Sequence, residues 1–130
     1  EFVLPYQRPV LDRFGLVDYG CCEPLDNRLA LVISAFPRLR WVSVSPWADV
    51  ELCARRLGPR CILMWKPQPA HLVGAFDEAA IGGYLGRAVR AARAHGCVME
   101  IVLRDTHTCE GRTERFDRWS ALAMAAARGE

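Results

Sequence analysis

Two short stretches concentrate the side chains able to do chemistry. "DYGCCEP" (18–24) sets Cys21, Cys22 and Glu23 directly after an apolar run, and "RDTHTCEG" (104–111) gathers Asp105, His107 and Cys109. In a reducing compartment, cysteines in polar loops serve as ligands or nucleophiles more readily than as disulfide staples. His107 stands two residues before Cys109, a spacing that puts both on one face of an extended segment. Asp105 is placed to fix the tautomer of a neighbouring histidine, and His107 is either a ligand or a histidine held by Asp105 or by backbone. Glu23 is a ligand, a general base or a strand-end hydrogen-bond acceptor. The two stretches form one site only if the fold brings them to the same end of the molecule.

The elements that would do so alternate regularly. Apolar, β-branched or aromatic runs at 16–22, 40–47, 61–69 and 98–108 are each followed by a helical pattern, at 25–36, 48–58, 77–96 and 112–128. Acids open the 77–96 helix and Gly96 stops it, while Gly58 and Pro59 end the helix before it. Four strand–helix units predict an α/β fold with parallel strands and right-handed crossovers. Every strand runs into a chemically loaded loop: "YGCCEP", "SPWAD", "WKPQP" and "DTHTCEG". A (β/α)8 TIM barrel places function at the ends of successive strands, whereas an open doubly wound sheet concentrates it at one switch point. The pattern therefore predicts about four βα units, half of such a barrel, over residues 1–130 as a single partial domain. There is no GxGxxG turn and no P-loop.

Bulk properties narrow the classes further. An apolar fraction of 52% with 25% charged residues is that of a folded domain, and 130 residues suffice for one core. A net charge of +2 with dispersed arginines argues against nucleic acid, and no apolar run is long enough for a membrane span. No signal-peptide pattern opens the chain, so a cytoplasmic location is expected. The opening "EFVLPYQRPVLDRFG" reads as an amphipathic segment from the middle of something longer.

The remaining candidates have plainer readings beside the functional ones. Lys66, between Trp65 and Pro67 at a strand end, is a receptor for an anionic substrate or phosphate, or else a solvated lysine. Trp47 lines the mouth or packs in the core. Asp49 is read as the acid at a helix start, and Cys53, Cys61 and Cys97 as core residues. His71 and His95 are surface or packing residues, and Arg112, Arg115 and Arg118 a solvated helix face.

"GLVDYGCCEPLDNRLALV", "LRWVSVSPWADVELCARRLG", "ILMWKPQPAHL" and "LRDTHTCEGRTERFDRWSALA" together resemble the C-terminal half of the uroporphyrinogen decarboxylase-like superfamily, in its branch related to corrinoid-dependent methyltransferases. The resemblance spans nearly the whole chain and implies the last four units of a (β/α)8 barrel. Methyltransferase members bind zinc through His-x-Cys after one strand and a further cysteine after the last. On this chain those positions fall on Tyr19-Gly20-Cys21 and on Cys109, so tyrosine stands where the family has histidine. Cys22, Glu23 or His107 would complete the ligand set. The resemblance thus implies a zinc-activated thiol accepting a methyl group from a corrinoid on a partner protein; the strand-end positions add Tyr19, Trp47 and Lys66 as substrate contacts and Glu23 and Asp105 as catalytic groups. Decarboxylase members use no metal and hold substrate carboxylates with arginines and an aspartate, mostly from the N-terminal half of the barrel, which gives a lyase-like alternative in which Lys66 joins those arginines. A non-catalytic binding remnant is a third reading. A homodimer that closes the barrel is a further expectation.

Overall fold

A computed structural model describes residues 2–20 and 22–130. The element order is α1 (Leu4–Leu11), β1 (Val17–Gly20), α2 (Leu29–Ala35), β2 (Leu39–Val44), α3 (Val50–Leu57), β3 (Ile62–Trp65), α4 (Glu78–Ala94), β4 (Val98–Ile101) and α5 (Glu114–Arg128), with short 3-10 turns at Gly58–Arg60 and Pro69–Leu72. The helix boundaries follow local chemistry. Asp49 accepts a hydrogen bond from the Leu52 N–H at 2.9 Å and Asp77 one from the Ala80 N–H at 3.0 Å, each satisfying a donor that a helix start leaves open. Gly58, Gly96 and Gly129 take φ of 52°, 62° and 87° where α3, α4 and α5 stop, a backbone region costly for residues with a Cβ.

The four strands lie in one parallel sheet in the order β1-β2-β3-β4. Sequential neighbours joined by right-handed crossovers put all their helices on the same face. Burial follows this arrangement. Tyr19, Val42, Leu63 and Met99 form one row across the sheet, and Val44, Trp65 and Ile101 the next. These rows pack into the core against Leu29 and Val32 of α2, Cys53, Ala54 and Leu57 of α3, Ile81, Leu85 and Ala88 of α4, and Trp119 of α5. Truncating a side chain as enclosed as Leu63 removes about 2–5 kcal/mol.

The opposite face carries Asp18, Trp41, Ile62 and Val98 in one row and Gly20, Ser43, Met64 and Glu100 in the next. The helices of the core cluster pack on the other face; on this one Asp18, Gly20 and Val98 are exposed while Ile62 and Ser43 are buried. The sheet nevertheless curves enough for the Trp41 Nε1–H of β2 to donate to Glu100 Oε1 of β4 at 3.1 Å, spanning β3. Val98 at the rim is 58% exposed, and the two sheet edges, β1 and β4, have no further partner strand among the described residues.

The last strand differs from the sequence expectation. The fourth strand ends at Ile101, not at 108, with one more ladder bond from the Val102 N–H to the Trp65 carbonyl at 2.9 Å. Asp105, at φ 60°, turns the chain out of the extended conformation, so 102–113 is a loop. The opening segment forms α1, but it buries no residue fully and leaves Val3, Tyr6 and Val10 exposed. No helix is long and apolar enough to cross a membrane among the described residues.

Candidate functional site

The C-terminal ends of the strands open onto a concavity of about 370 Å³ on the face opposite the core helices, lined by Asp18, Gly20, Cys22, Ser43, Met64, Lys66, Arg104 and Asp105. Its floor follows from the period of two along each strand, which sends Asp18 and Gly20, Ser43, and Met64 and Lys66 to the same side. The pairing continues one residue past β3, the Lys66 N–H reaching the Val44 carbonyl at 2.9 Å, so Lys66 leaves the sheet in strand geometry. Gly20 is required here. A Cβ at that position would stand 2.2 Å from Ser43 Cβ.

Lys66 is only 8% exposed, so it is not the solvated lysine of the plainer reading. It makes no direct ion pair among the described residues. Asp18 has its carboxyl pushed above the ordinary range by burial, and by repulsion from Glu100, while the Lys66 charge and a backbone hydrogen bond from Tyr19 pull the other way. Ser43 is 7% exposed and Ser45, two residues on, 1%; neither hydroxyl oxygen has a hydrogen-bond partner among the described residues.

Of the residues picked out from the sequence, Lys66, Asp105 and Cys22 come together in this concavity. Cys21 lies outside the described residues. Tyr19 points to the covered face, where it stacks on Phe36 with centroids 5.4 Å apart, because neighbouring strand positions alternate. Glu23 is exposed and pairs with Arg28 at 3.0 Å. Trp47 is neither core nor lining: it stands 67% exposed in the loop before α3. His107 is exposed and Cys109 half-buried, both in the 102–113 loop and neither lining the concavity.

That loop is tied elsewhere. Glu110 and Gly111, at φ 57° and 74°, form a turn closed by the Arg112 N–H on the Cys109 carbonyl at 3.1 Å. It presents the Glu110 carboxylate to the Gly74 N–H and to Arg115 Nη1, each at 3.1 Å. Arg115, expected on a solvated face, is 2% exposed; it donates to the Leu72 and Gly74 carbonyls at 2.7 Å each. The Gly74 N–H, and then Arg115, hold the Glu110 carboxyl below its usual range. The latch directs the Cys109 end of the loop toward the start of α4.

Zinc asks for a tetrahedral set of thiolate, imidazole or carboxylate donors. Among the described residues no three such side chains lie close enough together to hold a metal ion; Cys22, Asp18 and Asp105 line the concavity without forming such a group. Cys21, one of the two thiols that the resemblance assigns to zinc, lies outside the described residues. Cys53, Cys61 and Cys97 are buried as expected, and burial above all pushes the Cys53 thiol up to about 12. No family model, curated protein or solved structure matches the chain.

Five residues lining this concavity are not marked by the sequence pattern read above: Asp18, Gly20, Ser43, Met64 and Arg104. The alternation in "VSVS" (42–45) was a visible signal, since it sends both serines to the face opposite the valines.

Proposed function

We propose that this chain forms the C-terminal half of a (β/α)8-barrel enzyme of the uroporphyrinogen decarboxylase-like superfamily, working in the cytoplasm, with the strand-end concavity as its small-molecule site. The observation carrying this reading is the concavity itself: strands in sequential parallel order, helices on one face, and charged side chains gathered at the carboxyl ends on the other. The described residues support the metal-free, lyase-like chemistry best. Lys66, an ammonium without a direct ion pair among the described residues, offers its charge to a substrate carboxylate. Loss of carbon dioxide from a substrate leaves a carbanion that must take up a proton. Asp18, with its raised pKa, is the carboxyl group available to deliver it.

A second reading rests on Cys22, whose thiol lines the same concavity directly after Cys21. With the Cys109 loop brought over, these thiols would hold a zinc ion; zinc there supplies a nucleophilic thiolate at neutral pH to accept a methyl group from a corrinoid on a partner protein. Elemental analysis of the purified protein decides between the two. Substoichiometric zinc that does not change in Cys22→Ser or Cys109→Ser supports the lyase-like reading. Stoichiometric zinc lost in either variant replaces it with methyl transfer.

A further inference from the structure

Two buried hydroxyls and a buried lysine lie on adjacent strand ends, although only Ser43 and Lys66 line the concavity itself. Val44 pairs with Trp65, and continuing that register by one residue sets Ser45 of the β2 end against Lys66 of the β3 end. Ser43 lies one step back on the same face and lines the concavity with Lys66. Native proteins leave few buried hydroxyls without partners, because an unpaired one forfeits its hydration with nothing in return. Here two such oxygens occur two residues apart, and Lys66 on the adjoining strand also lacks a direct ion pair among the described residues. Two O–H donors and an N–H₃⁺ donor on adjacent strand ends are the complement of one oxyanion group, which accepts several hydrogen bonds at once.

We infer that Ser43, Ser45 and Lys66 together form the docking point for a single oxyanion group, a carboxylate or a phosphate, of the ligand. This rests on the reading of the concavity as the substrate site and adds the hydroxyls to it. The surrounding charges set the ligand's character. Asp18 and Asp105 offset Lys66 and Arg104 around the lining, and Glu100 is already engaged by Trp41. A compact ligand with one anionic group fits such a balance, whereas a polyanion would be repelled by the acids.

The test is titration of the protein with acetate and, separately, inorganic phosphate, followed by amide chemical shifts, for wild type and for Ser43→Ala, Ser45→Ala and Lys66→Met. Weak saturable binding of at least one anion is expected, with the largest shifts at residues 43–45 and 66; the anion that binds identifies the group as carboxylate or phosphate. Each serine variant should weaken it roughly 5- to 10-fold, the worth of one hydrogen bond, and Lys66→Met should abolish it. Ser43→Cys and Ser45→Cys, near in size but poor donors, should show the same loss and guard against a misfolded alanine variant. Binding lost in Lys66→Met but unchanged in all the serine variants overturns the role of the hydroxyls and leaves the Lys66 site standing. Binding of neither anion, or binding indifferent to Lys66→Met, overturns both.

Discussion

Thiol position governs reactivity at the scale of single residues. Cys53, Cys61 and Cys97 are enclosed by the helix layer, and burial raises all three above the ordinary thiol range. Cys22 is exposed and Cys109 half-buried. Because only thiolate attacks, a maleimide at pH 8 should label Cys22 quickly and Cys109 more slowly, and leave the other three unmodified until the protein unfolds. Mass spectrometry of the labelled peptides checks this; fast labelling of Cys53 would mean that α3 opens readily. Asp18 makes a second prediction, of opposite sign to the usual carboxylate. Its folded-state pKa is raised, chiefly by desolvation of the carboxyl although the residue as a whole is exposed, so the native state binds the proton more tightly than the unfolded chain does, by an amount that solvent screening keeps small. The charged form therefore costs stability, a cost absent below the ordinary aspartate range, growing as pH rises toward the folded value and complete above it. Asp18→Asn should raise Tm at neutral pH and leave it unchanged at pH 3. A drop in Tm at neutral pH would mean that attraction to Lys66 outweighs burial.

Single elements were read from the sequence with uneven success, and the failures share a cause. The helix starts at Asp49 and Asp77 and the glycine stops at 58 and 96 depend on neighbours within one turn, and they were legible. The extent of β4 and the role of Arg115 depend on chain segments some forty residues away, and they were not. Arg115 sits on the α5 face with Trp119, Ala123 and Ala126, and helical spacing alone does not say that carbonyls at 72 and 74 wait beside it. Arg115→Met should cost roughly 2–4 kcal/mol, since it strands two carbonyls that the guanidinium now satisfies. Chemical denaturation measures that loss, and faster amide exchange at Gly74 would locate it in the latch. A change within experimental error would show that water replaces the guanidinium at no cost.

For the whole molecule, the consequence is exposed sheet. Four parallel strands with helices on one side leave the other side open, two edges without partners among the described residues, and apolar groups such as Val98, Leu16 and Tyr6 in solvent. Edges and bare faces of this kind pair with whatever strand meets them. Residues 1–130 alone should therefore self-associate, with a dimer that brings β4 against the partner's β1 as the smallest arrangement that closes eight strands. Sedimentation velocity across a concentration series should show the sedimentation coefficient rising with concentration; a monomer at every concentration that unfolds cooperatively would refute this.

The sequence by itself determined the alternation of strand and helix, the α/β class, the parallel sheet, the helix caps and the core positions of Cys53, Cys61 and Cys97. These rest on hydrophobic period and on contacts within a few residues, which a linear pattern carries. It also marked Lys66, Asp105 and Cys22 by their place at strand ends. Only the tertiary structure decided which strand-end residues share a cavity. Tyr19 and Gly20 are adjacent in the chain, yet one stacks under α2 and the other floors the concavity, because successive side chains leave opposite faces. Asp18, Ser43 and Lys66 are brought together by register across three strands, and register is set by packing rather than by any one strand's composition.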